Sequence, residues 1–286
     1  MNMTNSRRPT PEEGDDSPPP REEVPEGGGF TPAYGLLCRA MIKLGLQFWT
    51  VRDAMKTDFA GTLREVAKMG YDGVEGGSTG PMSVEDYNKL MAELKIVTPG
   101  VHTGGKVLDT KGDEMMAFFK SIGAKFVGSS AFHEDPDSWK RLAGDLNRYA
   151  SMAAKHGLVY QYHNHASEFR KFGGKSGMEL LIENTDPGTV FFQVDVGWCR
   201  HALEDPIYWL NRLKGRIVTV HLKDCTPPPN PKWTEVGNGG LDVAAVVKAA
   251  NDVGAEWFFV EQDTWERPSI EAARISFQNA TKAIKG

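Results

Sequence analysis

Short apolar runs alternate with amphipathic stretches along the chain from about residue 42 onwards. The apolar runs have the length of strands and cover residues 42–49, 71–75, 96–102, 125–129, 158–164, 190–196, 216–222 and 256–262. Between them, apolar residues recur at intervals of three and four, which is the spacing of an amphipathic helix. The clearest of these stretches cover residues 62–69, 84–94, 137–156, 243–252 and 270–284. The pattern predicts that strands and helices alternate.

Residues with strong preferences for helix ends separate the predicted elements. Ser83 with Asp86, and the Asp-Pro pairs at 135–136 and 205–206, are typical of helix starts. Four glycines stand where a helix must end before the next strand, at Gly70, Gly123, Gly157 and Gly254. A strand followed by a helix, repeated eight times, predicts parallel strands joined by right-handed crossovers.

Eight such units in about 245 residues match a (β/α)8 barrel, or TIM barrel, whose typical size is about 250 residues. The competing fold is a doubly wound parallel sheet, which usually has a glycine-rich phosphate turn after its first strand. Here the first strand ends in Gln-Phe-Trp-Thr at residues 47–50, with no glycine. The sequence therefore favours an α/β protein built as a single barrel domain over residues 41–286.

Composition separates the beginning of the chain from the rest. Of the net charge of -5 over 286 residues, -4 belongs to residues 1–32, which carry seven acids, three arginines and seven of the 17 prolines. Such a segment buries too little apolar surface to offset its ordering entropy. We therefore expect residues 1–40 to form a disordered, acidic, proline-rich tail.

The same composition excludes several classes of protein. The mild acidity argues against a nucleic-acid partner, because such proteins normally carry a basic face. The chain has no run of about 18 uncharged apolar residues, so we expect no membrane span. The three widely spaced cysteines, Cys38, Cys199 and Cys225, suit reduced thiols, which predicts a cytoplasmic location.

Candidate chemistry lies at the C-terminal ends of the predicted strands, where barrel enzymes place their catalytic groups. Four consecutive strands end in, or just before, His163, Asp195, His221 and Glu261. A single Asp or His at such a position is more often a loop cap. Two imidazoles and two carboxylates on adjacent strands, however, suit a divalent cation such as Mn, Mg, Co or Zn. Asp195 also lies in an apolar run, where a metal or a lysine must offset the cost of burying its charge.

Further side chains at the predicted rim are candidates for substrate contacts and for acid–base catalysis. The candidates for substrate binding are Gln47, Trp49, Glu75, His102, Trp198 and Lys223. For the tryptophans, ordinary packing under the loops is an equal alternative. His165 and Glu168 follow the fifth strand and are candidates for acid–base partners of Glu261.

Five segments together resemble the xylose-isomerase-like barrels, a superfamily of sugar isomerases, epimerases and related dehydratases. They are Gly-Leu-Gln-Phe-Trp-Thr-Val-Arg-Asp at 45–53, Tyr-His-Asn-His-Ala-Ser-Glu-Phe at 162–169, Val-Asp-Val-Gly-Trp at 194–198, Val-His-Leu-Lys-Asp at 220–224 and Val-Gly-Asn-Gly-Gly-Leu-Asp at 236–242. No single segment is decisive, but their order and spacing are specific. The resemblance covers about residues 43–284.

The resemblance implies a metal site and also reveals a departure from the family. In the epimerases of this family, Glu, Asp, His and Glu from strands five to eight hold the cation. These positions carry over onto Asp195, His221 and Glu261, but His163 stands where the first Glu is expected. Those epimerases use two metal-bound glutamates on opposite faces of the substrate, and only Glu261 matches here. A similar replacement occurs among relatives that resemble inosose dehydratase, which eliminate water from a keto-polyol.

These features predict a divalent-metal-dependent isomerase or epimerase that acts on a sugar, a sugar phosphate or a keto-polyol. The expected reaction begins with proton abstraction and passes through a metal-stabilised enediolate. Loss of a β-substituent from the same enediolate would make the protein a lyase or dehydratase instead, and the sequence leaves both open. A non-catalytic sugar-binding barrel is a further alternative, because the strand-five Glu is missing. Relatives in this family often associate, so a homo-oligomer is also expected.

The segment Gly-Gly-Ser-Thr-Gly at 76–80 matches the G-x-S-x-G pattern of serine hydrolases. That chemistry requires the serine on a tight turn that leads directly from a strand into a helix. Pro81 and a new helix start at Ser83 follow instead. We therefore expect a plain connecting loop.

Overall fold

The computed structural model describes residues 42–286, which form a closed barrel of eight parallel strands. In chain order the barrel strands are β1 (Lys43–Gln47), β2 (Gly73–Gly76), β3 (Val97–His102), β4 (Phe126–Ser129), β5 (Val159–His163), β6 (Val190–Asp195), β7 (Ile217–Leu222) and β8 (Trp257–Val260). Each strand pairs with its sequence neighbours, and β1 pairs with β8 to close the barrel. The predicted fold is confirmed, whereas the tail predicted for residues 1–40 lies outside the described residues.

Helices follow the strands and surround the barrel. They are α1 (Arg52–Thr57), α2 (Phe59–Met69), α3 (Val84–Leu94), α4 (Gly105–Ser121), α5 (Pro136–Lys155), α6 (Gly177–Asn184), α7 (Val196–His201), α8 (Pro206–Arg212), α9 (Val243–Val253) and α10 (Ser269–Lys285). Short hairpins interrupt the loops after β5 and β7. Among residues 42–286, no helix is both long and apolar enough to cross a membrane.

The predicted helix ends are formed by specific side-chain and backbone geometry. Ser83, Asp135 and Asp205 each accept a hydrogen bond from a main-chain N–H in the first turn of the helix that follows. Gly70 ends α2 with a φ of 102°, a left-handed conformation that other residues adopt only with strain. These ends keep the connections short and lead each helix back to the next strand.

The inside of the barrel is arranged in layers, because alternate residues of each strand point inward. Phe126, Trp257 and Phe259 form a buried apolar cluster near the N-terminal ends of the strands. Gly45 leaves room for Phe259, since a Cβ at Gly45 would lie 2.6 Å from that ring. Polar side chains occupy the layers above, towards the C-terminal ends of the strands. The polar interior therefore opens at the mouth formed by the C-terminal ends of the strands.

Candidate metal centre and active site

Strands β5 to β8 bring together the four residues predicted to bind a metal. One ligand atom from each of His163, Asp195, His221 and Glu261 lies within 4.8 Å of every other, and all four side chains are buried. Asp195 and His221 are direct neighbours in the strand register. His163 Nε2 lies 3.3 Å from Asp195 Oδ2, and His221 Nδ1 lies 2.8 Å from Glu261 Oε2. The predicted cluster is thus a real convergence of side chains in the folded chain.

His221 sits between carboxylates on both edges of its ring. Its Nδ1 faces Glu261 Oε2, while its Nε2 lies 2.5 Å from Glu75 Oε2. Burial favours the neutral ring, but the charges of Glu75 and Glu261 outweigh it and raise the pKa of His221 to about 10. The Nδ1 position therefore holds a positive charge, which a proton or a metal ion can supply. An outer carboxylate on the other nitrogen is the usual arrangement for a metal-bound imidazole.

His163, unlike His221, has a lowered pKa, and it fits the role of a neutral nitrogen ligand. Burial, followed by the nearby rings of His221 and His165, holds its pKa well below the usual histidine range. Its Nδ1 is buried and has no hydrogen-bond partner among residues 42–286. A neutral imidazole whose Nε2 lies beside Asp195 suits a cation that takes mixed nitrogen and oxygen ligands. The donor set therefore fits a divalent metal.

Lys223 is fully buried and lies against the two carboxylates of this cluster. Its Nζ is 3.2 Å from Asp195 Oδ2, 3.0 Å from Glu261 Oε2 and 3.0 Å from Asp263 Oδ2. The rings of Trp198 and Trp233 approach the same ammonium group at 5.2 and 5.0 Å, respectively. The ammonium group donates a hydrogen bond to Asp263 and forms ion pairs with Asp195 and Glu261, and the buried side chain does not line the cleft. The lysine therefore neutralises these carboxylates, and the substrate-binding role predicted for it stays a prediction.

The floor of the site is a set of hydrogen-bonded polar side chains centred on Glu75. Gln47 Nε2 donates to Glu75 Oε2 at 2.9 Å, and Gln193 Nε2 donates to Glu75 Oε1 at 2.8 Å. Burial opposes ionisation of Glu75, but His221 and His102 outweigh it and lower its pKa. Glu75 was predicted to bind substrate, yet it is fully buried and holds His221 in place.

Sequence reasoning missed the polar layer below the metal ligands. Gln161, Gln193 and Thr219 form a chain of hydrogen bonds of 2.7–2.8 Å across the barrel. Gln193 also meets His102 Nε2 through its side-chain oxygen at 2.7 Å. Each of the three stands two residues before a predicted ligand on the same strand. Since the strand period is two, that spacing could have identified them.

Glu168 was predicted as an acid–base residue, but the structure does not bring it into the cleft. It is fully buried, and its oxygens accept from Tyr162 Oη at 2.7 Å and from Ser167 Oγ at 2.8 Å. Burial raises its pKa. The main-chain N–H of His165 also donates to it, so Glu168 supports the loop that carries His165. His165 itself lines the cleft, with its ring 4.8 Å from that of His163.

A cleft of about 700 Å³ opens above the cluster, within the usual size range of small-molecule sites. The predicted residues that line it are Gln47, Trp49, His102, His163, His165 and Glu261. Trp49 is 51% exposed and forms part of the wall. Trp198, in contrast, packs behind the cleft against His165 and Lys223. Arg52 also lines the cleft, where its guanidinium stacks on Trp49 and Trp265, and it was not predicted as a site residue.

The position of His102 depends on Gly128, because a Cβ at Gly128 would lie 2.6 Å from His102 Nε2. We expect Gly128→Ala to push the ring away from Gln193 and to lower kcat/KM by about tenfold or more, since small displacements in a site are costly. The expected loss of stability from overpacking is about 1–3 kcal/mol. Steady-state kinetics and thermal unfolding of the variant test this, with Gly144→Ala as a control, because no atom lies within 4 Å of a Cβ there. Unchanged kinetics would contradict the assigned role of His102.

The loop that matches G-x-S-x-G does not have the geometry of a serine hydrolase. Ser78 is exposed, and its Oγ accepts from Gly80 N at 3.4 Å. Helix α3 begins only at Val84, after a separate cap at Ser83. The serine therefore lies on a connecting loop, as expected.

Comparison with known proteins agrees with the fold. The family model described as "Xylose isomerase-like TIM barrel" matches residues 63–279. A curated inosose dehydratase from Mesomycoplasma hyopneumoniae (strain 7448) is 28% identical over 214 residues, which is 64% of this chain and 70% of that protein.

Solved structures of the same architecture superpose on most of the chain. A sugar phosphate isomerase/epimerase from Parabacteroides distasonis has a TM-score of 0.72 at 24% identity and covers 89% of this chain and 100% of its own. The IolI protein, solved with a bound zinc atom, has a TM-score of 0.67 at 16% identity and covers 85% of this chain and 98% of its own. Because the family model spans most of the described barrel, the chain belongs to the xylose isomerase-like TIM barrel family and is an enzyme.

Proposed function

We propose that residues 41–286 form the catalytic domain of a metal-dependent lyase that removes water from a keto-sugar or keto-polyol. The observation that carries this proposal is the placement of carboxylates around the cleft. Within residues 42–286, the cleft is lined by the carboxylates of Glu261 and Asp263, which both follow β8 and both contact Lys223. The other titratable side chains of the lining are imidazoles and the cationic Arg52 and Lys56. Because both contact Lys223, the two carboxylates lie on the same side of the cleft, and a base on one face of the substrate is what a syn elimination requires.

The proposed metal ligands are His163, Asp195, His221 and Glu261. The neutral His163, the buried carboxylate of Asp195 and the Nδ1 of His221 together support this assignment. When bound there, a divalent cation such as Zn, Mn, Co or Mg polarises a substrate carbonyl and acidifies the neighbouring C–H bond. The side chains of the chain supply the remaining functions.

Glu261 is the proposed base. Burial opposes its ionisation, but Lys223 and His221 outweigh burial and lower its pKa, so the side chain is a carboxylate at neutral pH. The substrate C–H bond breaks, its proton passes to Glu261, and its electron pair forms the carbon–carbon double bond. The neighbouring C–O bond breaks, and the departing hydroxyl takes the proton that Glu261 removed, so that water is released and the carboxylate of Glu261 is restored. His102 and His165 line the cleft with ring N–H groups that can hold this departing hydroxyl.

The replacement of the family's strand-five Glu by His163 favours elimination over epimerisation. Epimerisation needs a second base on the opposite face of the substrate, where a relative with a strand-five Glu would supply one. Here His163 occupies that position, and Glu168 is buried beneath the loop. The curated inosose dehydratases are 25–28% identical to this chain over most of their own length, and they also favour elimination.

Isomerisation of an aldose to a ketose is the second candidate, because it also needs only one base. In that reaction Glu261 returns the proton to the adjacent carbon instead of to a departing hydroxyl. The ring of His102 next to the cleft could then move the second proton between the two oxygens. The two reactions share their first step and differ in the mass of the product.

The deciding experiment combines metal analysis with product analysis. Purified protein is expected to contain about one divalent metal ion per chain, and chelation should abolish turnover on a panel of keto-sugars and inososes. In deuterated water, elimination gives a product that is lighter by one water, whereas isomerisation gives a product of unchanged formula with carbon-bound deuterium. A protein that binds no divalent metal, or that turns over equally well with Asp195→Asn, would overturn the metal-dependent mechanism.

A further inference from the structure

The cleft continues away from Glu261 towards a wall formed by α1 and by the loop after β2. That wall carries Arg52 and Lys56, together with the exposed Ser78 of the glycine-rich loop at 76–80. Gly76 and Gly77 lack side chains, and a Cβ on either would collide with Phe48 or with the main chain of His102. The loop therefore stays thin and leaves the far end of the cleft open.

Arg52 is fixed in a geometry that leaves its charge available. Its guanidinium lies between the rings of Trp49 and Trp265, at 4.1 and 4.3 Å from their centroids. It donates to the main-chain oxygens of Trp49 and Asp263 at 2.6 and 2.7 Å. Both acceptors are neutral carbonyls, and the carboxylate of Asp263 is engaged by Lys223 instead. A stacked, hydrogen-bonded guanidinium is already ordered before a ligand arrives, which reduces the entropy lost on binding.

The two positive charges on this wall have no ion-pair partner in the part of the chain that the structure describes. No carboxylate oxygen of residues 42–286 lies within 4.0 Å of a side-chain nitrogen of Arg52 or Lys56. Lys56 is exposed and extends from the last turn of α1. The carboxylates that line the cleft, Glu261 and Asp263, are already paired with Lys223. The wall that carries Arg52 and Lys56 is thus positively charged.

We propose that Arg52 and Lys56 form a subsite for an anionic substituent of the substrate, either a phosphate or a carboxylate. The inference rests on the proposed function, because it describes a part of the molecule that the reaction transforms. The reacting carbonyl lies near His163, Asp195 and Glu261, and the anionic group lies against Arg52. A guanidinium matches the paired oxygens of both groups. The subsite fixes the direction in which the substrate enters and favours an anionic substrate over a neutral one.

Binding to the Glu261→Gln variant tests this subsite without turnover. Calorimetry compares three keto compounds: D-fructose, D-fructose 6-phosphate and 5-keto-D-gluconate. We expect at least one of the two anionic compounds to bind about tenfold more tightly than fructose, as charge-assisted hydrogen bonds allow. Whichever anion binds more tightly identifies the substituent. Adding Arg52→Gln or Lys56→Gln to the Glu261→Gln variant should remove most of the preference for the anionic compound. The affinity for fructose should stay within about twofold of that of Glu261→Gln alone.

The matched control is Lys282→Gln, which removes an equal charge from the exposed surface of α10 and should change none of these affinities. Because Arg52 also packs on Trp49, the exposed Lys56 variant keeps the test valid if Arg52→Gln disturbs the rim. Equal affinities for all three compounds would overturn the inference. So would an anion preference that survives both substitutions, because the metal site would then be its source. Neither result depends on which product the enzyme forms, so failure here is separate from failure of the lyase proposal.

Discussion

Replacing Glu261 with glutamine is expected to lower turnover by about 100-fold or more, the effect typical of a lost general base. Glutamine keeps the size of the side chain and one oxygen that can remain near His221 Nδ1, but it cannot accept the substrate proton. Its neutral amide also cancels the charge that Lys223 contacts at 3.0 Å. The measurement is the rate of product formation together with the exchange of the substrate C–H proton in deuterated water.

The appropriate control is Glu256→Gln, just before the same strand. Glu256 is exposed and pairs with Lys125 at 2.6 Å, so its loss should leave turnover within about twofold and cost about 1 kcal/mol of stability at most. Since Glu261 is also a proposed ligand, the metal content of both variants must be measured. A Glu261→Gln protein that keeps its metal and also keeps proton exchange would contradict the assignment of the base.

The sequence predicted the barrel because the strand pattern, the helix spacing and the capping residues all indicated the same alternation of strands and helices. The capping residues Ser83, Asp135 and Gly70 stand where the apolar spacing also predicts a helix to begin or end. The predicted boundaries of the helix Val84–Leu94 therefore match those in the structure. The proposed ligands could be predicted for a related reason. Each stands at a strand end, and the topology of a barrel brings all strand ends to one mouth.

The remaining parts of the site depend on side-chain direction and depth, which a strand-end position does not specify. Glu168 and Lys223 both follow strands, yet one turns under its loop towards Tyr162 and the other turns inward to Asp195 and Glu261. Burial decides both cases, because a charged group in the interior goes where hydrogen bonds or opposite charges can satisfy it. Arg52 could not be predicted because its position depends on stacking against Trp265, a residue far away in the sequence.

Replacing Lys223 with methionine is expected to destabilise the metal-free protein by about 3–5 kcal/mol, because the buried carboxylates of Asp195 and Glu261 would lose their ammonium partner. Methionine retains much of the volume between Trp198 and Trp233. A divalent cation would then be the main compensation for these charges. We therefore expect the variant to bind metal more tightly than the wild type.

Thermal unfolding with and without added zinc or manganese, combined with a direct titration of metal, tests both effects. The melting temperature of the metal-free variant should fall well below that of the wild type, and saturating metal should recover more stability in the variant than in the wild type. Lys125→Met is the matched control, since Lys125 is an exposed lysine whose ion pair with Glu256 contributes about 1 kcal/mol or less. If Lys223→Met is as stable as the wild type without metal, the lysine does not neutralise the site. If its metal affinity falls, Lys223 supports the bound metal instead of competing with it for the same carboxylate oxygens.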